Sequence, residues 1–316
     1  MDISELQRLA TRTRFMREAG IALVLASLVL AAFLFIPLAS EHAVVAQAPV
    51  LATSTPDASF TNVPLSAKAA IVYDLTDGKT LYAKNAHAQL PLASLTKLLT
   101  LYSALKELSP DTVITIPQNV MGLSEPHAFS PGESFTLQNL ARITLTASLN
   151  DGAAAIAEAA SSQEHRSIHQ MIASAAAGLD LAQTYAVNGN GLDMNTAISG
   201  GYGSAHDIAV VAGQLATHAQ EIVSATTHPT ASAVSEQGVA FTVKNTDPIV
   251  GAIPGLMLSK TGYTDLAGGN LALVFDVGLN HPVAVVILGS TLKARFTDGA
   301  ALVAATYAHF AHVRSL

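Results

Sequence analysis

A serine followed by a lysine three residues later is the first pattern in this chain that could perform chemistry. On a helix, residues three apart share a face, so the lysine amine can reach the serine hydroxyl. A serine hydroxyl is a poor nucleophile until a base takes its proton, and a desolvated lysine can be that base. At least two of the three occurrences must be chance pairs. They are Ser94 with Lys97, Ser103 with Lys106, and Ser290 with Lys293.

Ser94 is the best placed of the three serines. It precedes the apolar segment LTKLLTLYSAL and is therefore predicted to open a helix. A helix N-terminus offers free N–H groups and a favourable dipole to developing negative charge. Ser103 falls in the middle of the same predicted helix and Ser290 at a strand end, where neither advantage exists. The pattern therefore favours Ser94 as a nucleophile.

Two shorter motifs each occur once. Ser148-Leu149-Asn150 lies between two predicted helices, where a loop could point into a cleft; a helix cap formed by Asn150 and Asp151 is the alternative. Lys260-Thr261-Gly262 ends an apolar strand, and its glycine would let a ligand approach the backbone closely. An ordinary edge strand that turns at Gly262 is the alternative. Taken singly, each motif is better explained by its structural alternative.

The elements that must position these motifs follow from the hydrophobic pattern. Two strands of a hairpin are predicted at 68–74 and 80–83. The order of elements predicts an α/β (α+β) fold, in which a mostly antiparallel sheet is assembled from both chain ends and a helical lobe is inserted. The further predicted elements are helices at about 95–107, 137–148, 151–160, 163–177 and 204–217, strands at 239–244, 255–261, 271–277 and 282–288, and a last helix at about 295–311.

Composition excludes several classes of function. The chain has 316 residues, and only 12% of them are charged, against roughly 25% in an average soluble domain. With 16 Lys and Arg against 23 Asp and Glu, the net charge of −7 provides no general basic field for a nucleic-acid backbone. Cysteine is absent, which excludes a thiol nucleophile, a cysteine-ligated metal or iron–sulfur site, and disulfides.

An apolar segment at 19–40 contains no charged residue. About 20 residues at 1.5 Å each span a hydrocarbon core of about 30 Å. Behind the segment, the next lysine or arginine is Lys68, whereas four arginines precede it: Arg8, Arg12, Arg14 and Arg17. The positive-inside rule therefore predicts that 1–18 is cytoplasmic. We expect a single-pass signal-anchor in the cell membrane, with the rest of the chain on the extracytoplasmic side.

Cleavage of this segment is the alternative, because Ala46-Gln47-Ala48 fits the small-residue pattern of a cleavage site. The apolar run is longer than the ~7–15 residues of a signal-peptide core, which favours an uncleaved anchor. Residues 41–66 are rich in Ala, Val, Pro, Thr and Ser without sustained periodicity, and are predicted to be a linker. The remaining 67–316 is expected to form one domain.

Taken together and in this order, the three motifs match those of the penicillin-recognising serine acyltransferases. From about 65 to 312, the chain resembles the serine D-alanyl-D-alanine carboxypeptidases, which are low-molecular-mass penicillin-binding proteins. A smaller residue is usual in that family at Leu149, and alanine at Gly152. The resemblance implies a serine β-lactamase/penicillin-binding-protein-like fold, with the site between sheet and helical lobe. The similar segments are PLASLTKLLT, LTASLNDGAAAIAE, VNGNGLD with SAHDIA, and SKTGYTDLAGGNLAL.

The resemblance also implies a mechanism. Ser94 would attack the carbonyl of the penultimate D-alanine and release the terminal D-alanine, leaving an acyl-enzyme. Lys97 would be the general base, its pKa lowered by the like charge of a nearby Lys260. Ser148 would relay the proton to the leaving amine. The backbone N–H groups of Ser94 and Tyr263 would form the oxyanion hole.

The remaining motif residues would bind substrate. By the same resemblance, Asn150 would hold the substrate amide, and Lys260 and Thr261 would bind its terminal carboxylate, with Gly262 allowing close approach. The implied partners are the pentapeptide stems of peptidoglycan, with β-lactams as covalent inhibitors. No metal or organic cofactor and no nucleic acid are expected.

Two other enzyme classes fit the sequence less well. A serine β-lactamase of the nearest layout needs a glutamate-bearing loop to activate water, yet no glutamate occurs between Glu164 and Glu221. A zinc peptidase could use His165 and His169, but the zincin pattern requires glutamate directly after the first histidine, where this chain has Arg166.

Two further functions remain open. One is a peptidoglycan D,D-endopeptidase, which uses the same chemistry on cross-links. The other is a non-catalytic module that binds penicillin or cell-wall peptide as a sensor. A pure binder could tolerate loss of Lys97 or Ser148, so the complete set of motif residues argues against a sensor.

Overall fold

The structure is a computed structural model, and it describes Leu23 and residues 58–313. The chain divides into two compact units, 1–54 and 55–316. In the first unit only Leu23, which is helical, is described, so the predicted anchor at 19–40 otherwise lies outside the described residues. Within the part that is described, no helix is both long and apolar enough to cross a membrane.

Most helices of the second unit lie between its first two strands and its last three strands in the chain. The strands are β1 (Ala69–Asp74), β2 (Lys79–Lys84), β3 (Leu90–Pro91), β4 (Val113–Thr115), β5 (Ser134–Thr136), β6 (Tyr185–Ala186), β7 (Gly201–Gly203), β8 (Thr230–Val234), β9 (Ala240–Lys244), β10 (Leu256–Thr264), β11 (Gly268–Asp276) and β12 (Pro282–Ser290). The α-helices are α1 (Thr96–Glu107), α2 (Leu137–Ala147), α3 (Asn150–Glu164), α4 (Ile168–Gly178), α5 (Ala205–His218), α6 (Gln220–Val223) and α7 (Ala294–Val313), of which α7 follows the last strand.

The main sheet has five antiparallel strands in the order β10-β11-β12-β1-β2. The N-terminal hairpin therefore joins the three C-terminal strands through the β1–β12 pairing, which runs from Ala69 opposite Leu288 to Asp74 opposite Val283. This arrangement confirms the predicted sheet built from both chain ends. Its outer strand β10 carries the Lys-Thr-Gly motif and has a neighbour on one side only.

Side chains on successive positions of a strand point to opposite faces, and here the two faces belong to different cores. On β12, Ala284 and Val286 join the core that contains α5, whereas Val283 and Val285 join the core that contains Leu302 of α7. Both faces are thus covered, which explains why β11 and β12 are apolar almost throughout rather than alternating.

The helical lobe is inserted between β2 and β10, as predicted. Helix α1 lies at its centre and packs against α3, α4 and α5. Because it has neighbours on several sides, its apolar residues are buried around most of its circumference, including Leu98, Leu99 and Leu101. The motif that opens α1 is therefore held by a rigid, buried helix.

The structure places one helix break differently and contains strands that were not predicted. The helices predicted at 151–160 and 163–177 are α3 and α4, and the break between them falls at 165–167. His165 ends α3 with a left-handed backbone, φ +51°, and Ser167 caps α4 together with Gln170. Strand β8, which pairs with β9, was not predicted because its small residues carry little hydrophobic signal.

The predicted linker at 41–66 extends into the folded unit. Residues Ala58–Phe60 form a 3₁₀ turn that packs on α7, and Phe60 is buried. The backbone N–H groups of Ser66 and Ala67 donate to the carboxylate of Asp298 on that helix. The folded unit therefore begins before residue 67, the boundary predicted from composition. The apolar residues of this segment are isolated and lack periodicity, so the sequence did not indicate that they are buried.

Candidate active site

Ser94 lies in a 3₁₀ turn, Ala93–Leu95, that runs directly into α1. Ala93 has a left-handed backbone, φ +48°, which L-residues adopt only where their surroundings impose it. Gly191 packs against this turn so closely that a Cβ at its position would lie 1.9 Å from the Ala93 carbonyl oxygen. The predicted helix-start position of Ser94 is confirmed, with a tight turn preceding the helix proper.

The amine of Lys97 lies within hydrogen-bond distance of three oxygens. They are Ser94 Oγ at 2.7 Å, Asn150 Oδ1 at 2.8 Å and the carbonyl of Asn190 at 2.7 Å. Lys97 is only 1% exposed. This burial lowers the pKa of Lys97 to about 7, and the negative charge of Asp151 opposes the decrease.

The cause of this low pKa differs from the sequence-based expectation. Repulsion by Lys260 was expected to lower the pKa of Lys97, but burial is the dominant cause. Repulsion instead contributes to the low pKa of Lys260, which burial lowers most, with further contributions from the charges of Lys97 and Arg295 and an opposing one from Asp247. Lys97 is therefore suited to accept a proton at neutral pH.

The Ser-Leu-Asn motif forms the junction between α2 and α3. Ser148 ends α2 in a left-handed conformation, φ +60°, and its Oγ lies 2.9 Å from the Lys260 amine. Asn150 accepts from Lys97 and donates through Nδ2 to the carbonyl of Ser124 at 2.8 Å. The helix-cap alternative is confirmed in that α3 begins at Asn150, but Asn150 is not the cap, because the N-cap is Leu149, whose side chain makes no capping bond.

The Lys-Thr-Gly motif faces Ser94 from the edge of the sheet. Lys260 is 1% exposed, and its amine donates to Ser148 Oγ and to the carbonyl of Thr261 at 2.7 Å. A Cβ on Gly262 would lie 3.0 Å from the Leu92 carbonyl oxygen and 3.2 Å from the Ser94 nitrogen, so the two backbones meet there. The alternative of a turn at Gly262 is wrong, because β10 continues to Thr264.

Two side chains beside this motif were not identified from the sequence. Thr246, in the segment after β9, has its Oγ1 2.6 Å from Thr261 Oγ1. Arg295, near the start of α7, is 7% exposed and donates from Nη1 to the Gly262 carbonyl at 2.6 Å. Neither belongs to a local motif, because each reaches the site from a distant part of the chain. Together with Lys260 they provide donors and positive charge for an anionic group.

A groove of about 590 Å³ lies beside the residues that hold Lys97 and Asn150. Asn190, whose carbonyl holds Lys97, and Ser124, whose carbonyl holds Asn150, both contribute to its wall. Tyr263, which is 46% exposed, follows the Lys-Thr-Gly motif on β10 and also lines the groove. A peptide bound at Ser94 therefore has space to continue into this groove.

The two other serine–lysine pairs are not assembled. Ser103 is buried in α1 with an Oγ that has no hydrogen-bond partner among the described residues, while the Lys106 amine lies over the Tyr102 ring, 5.6 Å from its centroid. The Ser290 hydroxyl donates to Asp298 at 2.7 Å. Of the three pairs, the structure brings together only Ser94 and Lys97.

The histidines of the zinc alternative lie on separate elements. His165 ends α3, and His169 belongs to α4, where its Nδ1 lies 2.8 Å from the Ala186 carbonyl. Within residues 58–313, no group of three or more His, Cys, Asp or Glu is arranged to hold a metal ion. The zincin geometry, with both histidines on one helix face, is therefore not formed.

The fold and the arrangement of two lysines, two serines and an asparagine place this chain in the penicillin-binding class of proteins. The chain belongs to the D-alanyl-D-alanine carboxypeptidase family (peptidase S11), whose model matches residues 53–291, which confirms the family resemblance. It is 29% identical over 236 residues to the D-alanyl-D-alanine carboxypeptidase DacF of Bacillus subtilis, covering 72% of this chain and 59% of that protein. The chain thus spans less than two thirds of that relative's length.

Solved structures agree with the observed fold. Penicillin-binding protein D2 of Listeria monocytogenes in its ampicillin-bound form is 26% identical, with a TM-score of 0.65 over 77% of this chain and 98% of that one. The DD-transpeptidase of Streptomyces K15 is 21% identical, with a TM-score of 0.67 over 78% of this chain and 98% of that one. These likenesses confirm the predicted penicillin-binding-protein-like fold.

Proposed function

We propose that this protein is a serine-type D-Ala-D-Ala carboxypeptidase that trims the stem peptides of peptidoglycan through an acyl-enzyme on Ser94. The observation that carries the proposal is the 2.7 Å contact between Ser94 Oγ and the amine of Lys97, a buried lysine with a pKa of about 7. Membership of the D-alanyl-D-alanine carboxypeptidase family supports the choice of substrate.

Acylation begins with proton transfer from Ser94 to neutral Lys97. The Ser94 oxygen attacks the carbonyl of the penultimate D-alanine to give a tetrahedral intermediate, which collapses to an ester as the peptide bond to the terminal D-alanine breaks. The oxyanion of that intermediate is stabilised by the backbone N–H groups of Ser94 and Tyr263. The 3.2 Å separation between a Cβ on Gly262 and the Ser94 nitrogen supports this role, because it brings the β10 backbone beside Ser94.

The leaving amine needs a proton, and Ser148 provides the route. Its hydroxyl accepts from Lys260 and can pass a proton onward to the amine of the departing D-alanine, and the proton that Lys97 took from Ser94 replaces the one passed on. Water then attacks the ester, the shortened peptide leaves as a carboxylic acid, and Ser94 regains its hydroxyl. One water is consumed for each D-alanine released.

Substrate binding uses the remaining motif residues. Asn150 Nδ2 has two hydrogens, and one of them is engaged by the Ser124 carbonyl, so the second is available for the carbonyl of the substrate amide. The terminal carboxylate binds at Lys260 and Thr261, where the charge of Arg295 adds to the attraction.

The test is incubation of the full-length protein with a muropeptide pentapeptide, followed by mass spectrometry. The expected product has lost one D-alanine, and the Ser94→Ala variant leaves the substrate intact. Cleavage of a cross-linked dimer with no loss of terminal D-alanine would instead favour the endopeptidase. Covalent labelling by fluorescent penicillin without turnover of either peptide would favour the sensor module.

The proposal extends to inhibitors. β-Lactams acylate Ser94 because their strained amide presents the same carbonyl and carboxylate as the peptide. The ampicillin-bound form of the Listeria monocytogenes protein, which is similar over 77% of this chain, supports this extension.

The proposal also includes a compartment. The apolar segment at 19–40, preceded by arginines, anchors the protein in the cell membrane and places residues 67–316 outside, where peptidoglycan lies. A reporter that is active only outside the cytoplasm, fused after Leu316, is expected to be active. An inactive reporter that is expressed at a normal level would reverse this orientation.

A further inference from the structure

The groove beside the Ser94–Lys97 pair is lined in part by Leu123 and Ser124, which begin a short loop, residues 123–130, that we call the wall loop. Residues 124–128 of this loop are all exposed, so they have little buried surface to hold them. The loop is nevertheless tied to α3 by Asp151, a residue 1% exposed. Asp151 Oδ2 accepts from the backbone N–H groups of Ala128 at 2.7 Å and Phe129 at 2.8 Å.

Asn150, the neighbour of Asp151, donates hydrogen bonds to carbonyl groups of the same loop. Its backbone N–H donates to the carbonyl of Pro126 at 2.7 Å, and its Nδ2 donates to the carbonyl of Ser124. Two consecutive residues of α3 therefore hold the wall loop through four hydrogen bonds. Because the loop in turn holds the Asn150 amide, it fixes the direction in which Asn150 Oδ1 faces Lys97.

The packing beneath the wall loop leaves little room for adjustment. A Cβ on Gly152 would lie 2.1 Å from Thr144 Oγ1 and 3.0 Å from the Phe129 ring. The Phe129 ring is itself buried edge-on against Phe135. The C-terminal end of the loop is thus anchored by the core, and Asp151 controls the exposed part that precedes it.

Asp151 also contributes charge to the catalytic lysine. Its carboxylate opposes the effect of burial on the pKa of Lys97, whereas the like charge of Lys260 faces the same site from β10. The wall loop carries two further titratable groups, Glu125 and His127, which are both exposed. Among these groups, Asp151 is the buried carboxylate that supports the ammonium form of Lys97.

We propose that Asp151 is a positioning residue for the acyltransfer reaction: it latches the wall loop so that Asn150 is aligned with Lys97 and the substrate groove keeps its wall. The inference rests on the proposed function, because Asn150 and Lys97 have their roles there. It assigns to Asp151 no contact with the reacting atoms.

The first test replaces Asp151 by asparagine. The side chain keeps its size but loses its charge, and its amide can place an N–H donor against the backbone N–H groups of the wall loop. The Michaelis constant for a D-Ala-D-Ala pentapeptide is expected to rise roughly tenfold, which is the effect of losing a charge-assisted hydrogen bond. The acid limb of the pH profile for acylation by labelled penicillin is expected to move to lower pH by about 1 unit, since Lys97 loses a stabilising charge.

Asp207→Asn is the matched control. Asp207 is also buried, and its Oδ2 accepts from the backbone N–H of Gln183 at 3.0 Å and from the Thr184 hydroxyl at 2.7 Å, partners outside the active site. This variant is expected to lose thermal stability while its pH profile stays at the wild-type position. A general effect of removing any buried carboxylate would move both variants alike and would overturn the proposal.

A second variant removes a hydrogen bond between Asp151 and the wall loop by a substitution in the loop. Ala128→Pro removes one of the two N–H groups that Asp151 accepts, at an exposed position, and keeps the carboxylate together with Glu125 and His127. It is expected to raise the Michaelis constant while leaving the acid limb in place. If Asp151→Asn fails to fold, Ala128→Pro decides alone, and an unchanged Michaelis constant overturns the proposal. A wild-type protein that releases no D-alanine would instead refute the proposed function.

Discussion

The amine of Lys260 lies 2.9 Å from Ser148 Oγ, and this contact joins the edge strand of the sheet to the junction of two lobe helices. Ser148 has a left-handed backbone, so its side chain and that of Asn150 reach different lysines: Ser148 meets Lys260, and Asn150 meets Lys97. Two residues of the Ser-x-Asn motif, at one helix junction, thus contact the amines of both lysines. In the proposed mechanism, one lysine therefore serves the nucleophile and the other serves the leaving group.

The first prediction concerns the nucleophile. Fluorescent penicillin is expected to label the wild-type protein covalently and to leave Ser94→Ala unlabelled, because, of the three serines in serine–lysine pairs, Ser94 alone lies against its lysine amine. Ser103→Ala and Ser290→Ala are the controls and should still be labelled, since neither hydroxyl meets its lysine. The readout is in-gel fluorescence together with the mass of the labelled peptide. Labelling that survives in Ser94→Ala would contradict the assignment.

The second prediction concerns pH. A free lysine has a pKa near 10.4, whereas burial lowers that of Lys97 to about 7, and only neutral Lys97 can accept the Ser94 proton. The rate constant for acylation by labelled penicillin is therefore expected to rise about tenfold per pH unit below 7 and to level off above it. Stopped-time labelling between pH 5 and 9 measures this profile.

Lys97→Ala is the control for this profile and is expected to abolish acylation at every pH in the range. A wild-type profile that is flat from pH 5 to 9, or that still rises steeply at pH 9, would contradict the role of Lys97 as the base.

The third prediction concerns the carboxylate site. Thr246→Val removes the hydroxyl that lies 2.6 Å from Thr261 Oγ1 and so releases a group proposed to bind substrate. The Michaelis constant for the pentapeptide is expected to rise about 3- to 10-fold, the usual effect of one neutral hydrogen bond. Thr242→Val is the matched control, because its Oγ1 pairs with Ser232 Oγ at 2.8 Å on an exposed hairpin. Equal Michaelis constants in both variants and the wild type would argue against a role for Thr246.

Much of the site could be predicted because its motifs are local. Ser94 and Lys97 are three residues apart on one helix, and the Lys-Thr-Gly motif lies on one strand, so short spacings carry the information. Thr246 and Arg295 could not be found in this way, since their proximity to β10 depends on the complete tertiary fold. The cause of the low pKa of Lys97 could not be predicted either, because burial depends on tertiary packing and not on the spacing of residues in the sequence.

The fold was predictable to a similar extent. Four strands of the main sheet are apolar enough to be recognised, whereas the polar β2 was predicted through its hairpin with β1. Their positions at both ends of the chain indicated the inserted lobe. The strands that were missed contain two to five residues, and some of them pair with partners distant in sequence, such as Leu90–Pro91 with Gly201–Gly203. Segments this short contain too few residues for their hydrophobic pattern to distinguish a strand from a loop.

The last prediction separates the two steps of acylation that the two lysines serve. Ser148→Ala removes the hydroxyl between Lys260 and the leaving amine, so release of D-alanine from the pentapeptide is expected to slow by roughly 10²–10⁴, the usual contribution of a positioned proton-transfer group. Acylation by penicillin is expected to slow less, because opening the strained β-lactam ring depends less on protonating the leaving nitrogen. The two rate constants are compared in the same preparation, with mass spectrometry for peptide turnover and fluorescence for labelling. Equal losses in both reactions would mean that Ser148 acts on the attack by Ser94 itself, and near wild-type release of D-alanine would remove Ser148 from the mechanism.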